Sequence, residues 1–190
     1  SSTATDLRSS SNPYVGPRSF QTGESLYGRS RESTELLDLV IAERIVLLHS
    51  PSGAGKSSLI NASLVPQMHD QGFWVLPPVR VNMEPPDGFA GQPGFNRYVF
   101  SVMRSLESEL PVKAQYAPSD LLGKTLAQYM KEYPERAMPH VQDYDPANSL
   151  FIVFDQFEEL VRVSAVDRDA KLEFASQLGE LLRDRNLWAL

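Results

Sequence analysis

The sequence contains no cysteine, which excludes disulfides, thiolate zinc sites and cysteine nucleophiles together and is compatible with a cytoplasmic setting. Long apolar runs are missing too. The longest clean ones, Ile45 to Leu48 and Leu150 to Phe154, fall far short of the ~20 residues that span a bilayer, so no membrane partner is expected. Basic charge is scarce: 24 Asp and Glu against 18 Lys and Arg give a formal charge of -6. Such a chain lacks the basic stripe that neutralises phosphates along a duplex, and direct nucleic-acid binding is not expected. The three histidines, His49, His69 and His140, are unclustered and show no metal-ligand spacing. His49 lies in an apolar stretch and reads as a hydrogen-bonded core residue. No serine elbow supports Ser-His-Asp hydrolysis.

What is present is the composition of a soluble globular protein, 42% hydrophobic and 22% charged, at a length that suits one α/β domain. Residues 1–12 are polar and serine-rich and read as a linker or a remnant outside the fold. Leu36, Leu37, Val40 and Ile41 recur at helical spacing, predicting a helix over 28–43. Arg44 to Ser50 is a short β-branched apolar run, expected as a strand buried on both faces. A helix over 56–64, stopped by Pro66, should follow the glycine-bearing turn. Phe73 to Val81 reads as a strand that Pro77 and Pro78 push to an edge or a bulge. Prolines and glycines make 84–96 a surface excursion. Helices are predicted at 97–110 and 119–133, a loop at 134–148, a strand at 149–155 and a final helix from about Asp167 to Arg185. That last helix places Leu172, Phe174, Ala175, Leu178 and Leu182 on or near one face. Strands alternating with helices predict a parallel sheet flanked by helices, whose ligands sit at the carboxyl ends of the strands.

Two motifs fall at such ends. Ser50-Pro51-Ser52-Gly53-Ala54-Gly55-Lys56-Ser57 follows the first strand and opens a helix, which is the context of a P-loop. Phosphate needs several backbone N–H groups converging on one point. Small residues let the chain wrap closely enough, and the helix N-terminus adds favourable potential. Ser52, Gly53, Ala54, Gly55, Lys56, Ser57 and Ser58 are therefore the expected phosphate ligands. Lys56 serves the β- and γ-phosphates and Ser57 the magnesium ion. Ser50 stands where the pattern has its first glycine. Gly123-Lys124-Thr125 repeats the Lys-Thr signal, but it has no strand before it and reads as part of a helical pattern.

The second motif is Leu150 to Asp155, an apolar strand ending in a carboxylate that would face the metal of a nucleotide–Mg²⁺ complex. Gln156, Phe157, Glu158 and Glu159 follow. Many ATP hydrolases place a glutamate directly after the magnesium aspartate, and here that slot holds Gln156. The base is left open between Glu158, Glu159 and a water-orienting Gln156, beside the alternative that both glutamates simply open a helix. The Asn-Lys-x-Asp sequence that reads guanine occurs around none of the five lysines, which favours ATP.

These stretches, with Asn12 to Phe20 and Leu26-Tyr27-Gly28-Arg29-Ser30-Arg31-Glu32 ahead of them and Asp155-Gln156-Phe157-Glu158-Glu159-Leu160 behind, resemble the novel STAND NTPases. These are signal-transduction ATPases with numerous domains, related to AAA+ and origin-recognition ATPases. The resemblance implies an α/β P-loop NTPase fold of the ASCE/AAA+ kind over 13–190, with Tyr27, Gly28 and Arg29 packing around adenine. It implies an ATP-driven switch of bacterial signalling or defence, whose ATP-bound form assembles into a homo-oligomer and activates an attached effector while sensor domains restrain it. A nucleotide-holding assembly module that turns nothing over is the alternative. The resemblance also implies a further strand between the P-loop strand and the Asp155 strand, then sensor and arginine-bearing elements and a helical domain, with all of these expected beyond Leu190.

Overall fold

The computed structural model describes residues 18–21, 29–49, 55–137, 149–161, 167–183 and 186–190. Its strands are β1 (Arg18–Gln21), β2 (Val46–His49), β3 (Trp74–Val75), β4 (Val79–Arg80), β5 (Leu150–Ile152), β6 (Phe154–Asp155) and β7 (Leu187–Ala189). Every pairing is parallel: β1 with β2, β3 with β5, β4 with β6, and β5 with β7. A bridge between Ile45 and Ala189 joins the first pair to the rest, supported by the Ala189 amide donating to the Arg44 carbonyl at 2.8 Å. The resulting order is β1, β2, β7, then β5 continued by β6, then β3 continued by β4.

This order corrects one expectation. The strand implied between β2 and the Asp155 strand lies inside the chain, as β7, just past the predicted final helix, in residues for which the sequence predicts no element. Three residues give too weak a local pattern, and their partners are distant in sequence. β1 was likewise not anticipated.

Side-chain alternation along β5 divides the interior. Phe151 and Val153 face a core built with α1 (Arg29–Glu43) and the helical run after residue 55, through Leu36, Val40, Leu59, Leu64 and Met68. Ile152 faces a larger core with Val79, Leu187 and Ala189, covered by α4 (Arg97–Ser108), α5 (Leu126–Ala137) and α7 (Arg168–Leu181). The helices thus lie on both faces, as expected for the class. β2 departs from its predicted double burial. Val46 and Leu48 join the α1 side, whereas Leu47 is 39% exposed and His49 is exposed. No described helix covers β2 on its other face, so the core role expected of His49 is not observed.

Two prolines that should have ended helices do not. The run from α2 (Lys56–Leu59) through a π-helical segment, Ile60–Leu64, to α3 (Val65–Asp70) passes straight over Pro66. In a regular helix the Pro66 ring would collide with the Ala62 carbonyl. The wider turn, in which the Val65 amide donates to Ile60 five residues back, relieves that clash. Pro134 lies inside α5, buried beside Tyr133, whose ring stacks on Trp74 at 6.1 Å. Gly123-Lys124-Thr125 is a turn rather than helix, with Gly123 at φ 75°. Thr125 caps α5 by accepting from the Gln128 amide at 3.2 Å, while the Gln128 side chain accepts from the Thr125 amide at 3.0 Å. On α7 the buried face is Phe174, Leu178 and Leu181. Leu172 is 59% exposed and Ala175 also faces out, contrary to the predicted stripe.

Pro77 and Pro78 split β3 from β4, and the split strand is the outermost one, as expected. At β4 its free flank is satisfied by α4. Ser101 Oγ donates to the Arg80 carbonyl at 2.7 Å and accepts from the Met83 amide at 2.8 Å; Ser105 Oγ accepts from the Arg80 amide at 3.0 Å. The 84–96 excursion packs Phe89 and Phe95 against Phe100, each at 5.5 Å.

Further from the strands' carboxyl ends, Glu107 of α4 is wholly buried. Both its oxygens accept from Arg136 Nη2, at 2.6 and 2.7 Å, and Tyr129 donates to it at 2.7 Å. The Arg136 guanidinium lies 3.5 Å from the centre of the Tyr116 ring. This cluster ties α5 to α4.

Arg44 joins α1, β2 and β7. It adopts φ 65°, closing α1 through its amide to Val40, and its guanidinium donates to the Leu187 carbonyl at 3.0 Å and lies 5.3 Å from the Trp188 ring. Removing those contacts in Arg44→Ala should lower stability by about 2 kcal/mol. A urea midpoint unchanged from wild type would show that β7 is held without it.

Candidate functional site

In a parallel sheet all carboxyl ends share one edge. β2 leads to that edge, and Gly55, at φ 78° and ψ 26° in the left-handed region, turns the chain into α2. The Leu59 amide bonds back to the Gly55 carbonyl at 2.9 Å, and no side chain caps this helix start. The amides of Ser57 and Ser58 have no carbonyl four residues back within this helix, as at every helix start. Lys56 is half-buried, Ser57 and Ser58 are exposed, and buried Leu59 anchors the turn in the core. Ser52, Gly53 and Ala54 lie outside the described residues, as do Ser50, Tyr27 and Gly28. Arg29 is the first residue of α1. α1 ends in the tight turn at Arg44 that feeds β2, so its start falls at the carboxyl edge, about 22 Å from that turn.

On the same edge β6 ends in Asp155, opposite Arg80 in register and exposed. Only β7 stands between β2 and the β5–β6 line, a lateral gap of about 10 Å between strand axes. Gln156 then takes φ 61°, a conformation that costs a non-glycine residue about 1 kcal/mol. The chain reverses sharply here. The Glu159 amide donates to the Gln156 carbonyl at 3.0 Å, and α6 (Glu158–Val161) begins at once. Phe157 tucks against Phe154, ring centres 5.9 Å apart, which fixes the reversal to the sheet. Both glutamates therefore stand in the first turn of α6 beside the end of β6. Glu158 is exposed and makes no hydrogen bond or ion pair among the described residues, whereas Glu159 is half-buried and accepts from Asn82 Nδ2 at 3.4 Å.

Asn82, Arg97 and Asp167 were not singled out from the sequence. Arg97 Nη2 donates to Asn82 Oδ1 at 2.7 Å, Arg97 Nη1 lies 3.7 Å from Asp167 Oδ2, and Tyr98 OH donates to the same Asp167 oxygen at 3.4 Å. Burial and then the Asp167 charge raise the Tyr98 phenol above its ordinary value. The one available signal was position: Asn82 lies just past the carboxyl end of β4, where α/β sheets place ligand-facing groups. Among the described residues no group of three or more His, Cys, Asp or Glu side chains is assembled for a metal. A cation drawing most of its ligands from phosphate and water needs only a hydroxyl and a carboxylate from protein, and Ser57 and Asp155 fit that donor set.

Parallel strands with helices on both faces define an α/β protein, and its candidate site is the group of polar residues at the carboxyl ends of the sheet. The family model for Novel STAND NTPase 1 matches residues 13–190, and the chain belongs to that family. Membership supports nucleotide as the ligand class. No curated protein and no solved structure gives a match. Among the described residues no helix is long and apolar enough to cross a membrane.

Proposed function

We propose that this chain is the ATP-binding and ATP-hydrolysing module of a signalling switch, built on a P-loop NTPase fold. The observation that carries the reading is the shared edge: the Gly55–Lys56 helix start and Asp155 emerge side by side with a single strand between them. Residues 52–58 supply main-chain amides to the polyphosphate, and the Lys56 ammonium lies against its terminal groups. Ser57 and Asp155 hold magnesium, directly or through water; when bound, the ion supplies charge neutralisation at the terminal phosphates. Tyr27, Gly28 and Arg29 contact adenine. The ATP-bound form assembles into a homo-oligomer in the cytoplasm and passes its state to an attached effector under the control of sensor domains.

Purified protein is expected to retain radiolabelled ATP, and Lys56→Ala to bind it about tenfold more weakly through loss of a phosphate-facing charge. Equal retention by the two proteins ends this reading. A second reading, a module that holds nucleotide for assembly and turns nothing over, is favoured by Gln156 in the position directly after Asp155. Phosphate release from the wild-type protein separates the two.

A further inference from the structure

Sequence left Glu158 and Glu159 equivalent, and their surroundings are not. We propose that Glu159 is the carboxylate that orients the attacking water, and that Asn82 and Arg97 are positioning residues that hold it; this rests on the ATP-hydrolysing reading above.

The donor and acceptor inventory fixes the direction of the chain of contacts. Arginine can only donate, so Asn82 must turn its carbonyl oxygen to Arg97. That rotation presents the Asn82 NH₂ to Glu159, and an ionised carboxylate can only accept. With the amide flipped, Arg97 would face an NH₂ and Glu159 a carbonyl oxygen, two repulsive pairs in place of two attractive ones. Arg97 is fixed in turn from the other side by Asp167, directly ahead of α7, and its ring neighbour Tyr98 secures the same Asp167 oxygen. Asn96, buried at the start of α4, ties this corner down further by donating to the Ala170 carbonyl at 2.8 Å while accepting from the Tyr98 amide at 3.0 Å. The ends of β4, α4 and α7 thus converge on one oxygen of Glu159. Glu158 has nothing comparable among the described residues.

A general base works only when held in place. Proton-transfer groups contribute roughly 10²–10⁴-fold, and a displaced one forfeits part of that. The test uses the full chain, measuring kcat and KM for ATP hydrolysis alongside ATP binding and thermal unfolding. Glu159→Gln should lower kcat by about 10²-fold or more with ATP binding retained. Glu158→Gln should give a much smaller loss, about threefold. Asn82→Ala and Arg97→Ala should each lower kcat about tenfold with KM little changed, and Arg97→Lys, which keeps the charge, should recover part of the loss. Asn82→Ala added to Glu159→Gln should cost nothing more, because Asn82 acts through Glu159. A purely structural role would not give that non-additivity. The proposal is overturned by an active wild type in which Glu158→Gln is the severe variant. It is equally overturned if Asn82→Ala lowers kcat by its full factor in the Glu159→Gln background. A wild type that binds ATP yet releases no phosphate removes the ATPase reading itself, a different result from either.

Discussion

Glu107→Ala is expected to destabilise the fold by about 3–5 kcal/mol, enough to leave a domain of ordinary stability close to unfolding. The reason is what remains rather than what is removed. Arg136 stays half-enclosed beneath Tyr116 with its charged acceptor gone and only the neutral Ala114 carbonyl left, and Tyr129 stays buried with only a long 3.4 Å bond to the Met103 carbonyl. Burial opposes the Arg136 charge, and the hydrogen bonding to Glu107, the Glu107 charge and the neighbouring Tyr129 and Tyr116 together more than offset it, so its pKa lies above the ordinary value. Without the carboxylate the two leading effects that oppose burial are lost. Guanidinium unfolding followed by circular dichroism measures the loss. Glu107→Gln, which can still accept from Tyr129 and Arg136, should lose markedly less. Arg136→Met added to Glu107→Ala should regain stability, because removing both charges leaves none stranded. A Glu107→Ala protein as stable as wild type would mean that the cluster does not hold α5 to α4.

The same cluster gives the fold an alkaline limit. Burial, and then the bond to Glu107, hold the Tyr129 phenol protonated well above its ordinary value; burial first, then the Glu107 charge, raise Tyr133 to about 12. In the unfolded chain both titrate near 10. The folded protein therefore binds more protons above that pH, and the associated stability, complete below about pH 10, falls as pH rises toward 12. Tyr129→Phe should flatten that decline.

Asp155→Ala should lower magnesium-dependent phosphate release by about 10²-fold or more. It should change stability by less than about 0.5 kcal/mol. The contrast follows from placement. Asp155 is exposed, ends its strand and makes no hydrogen bond or ion pair among the described residues, so the fold draws nothing from its charge. Phosphate release measured across a magnesium series, with unfolding midpoints on the same preparations, checks both halves. Unchanged release from a folded variant would remove the carboxylate from the site.

The parts of this molecule that could be read from sequence are those set by neighbouring residues. Gly55 and Lys56 follow a strand and start a helix because the left-handed turn and the helix start are local chemistry. Pro77 and Pro78 mark an outer strand because they lack the donors an inner one needs. Asp155 stands at a strand end for the same kind of reason. What escaped reading depends on distant partners. β7 is three residues whose identity as a strand comes from β5 and Ile45. Pro66 and Pro134 break a local rule because a π turn and a packed interior accommodate them. Leu172 fits a helical stripe that no neighbour covers. The Glu159, Asn82, Arg97 and Asp167 chain joins four separate segments, so no spacing in the sequence could announce it. Of the anticipated phosphate and adenine contacts, Tyr27, Gly28, Ser52, Gly53 and Ala54 lie outside the described residues.

The hydroxyls of Ser101 and Ser105 answer the outward peptide groups at Arg80 and Met83 that an incoming extended segment would need. Pairing of another copy at the Arg80 end of that flank is thereby blocked. Aggregation by runaway strand addition has one fewer place to begin.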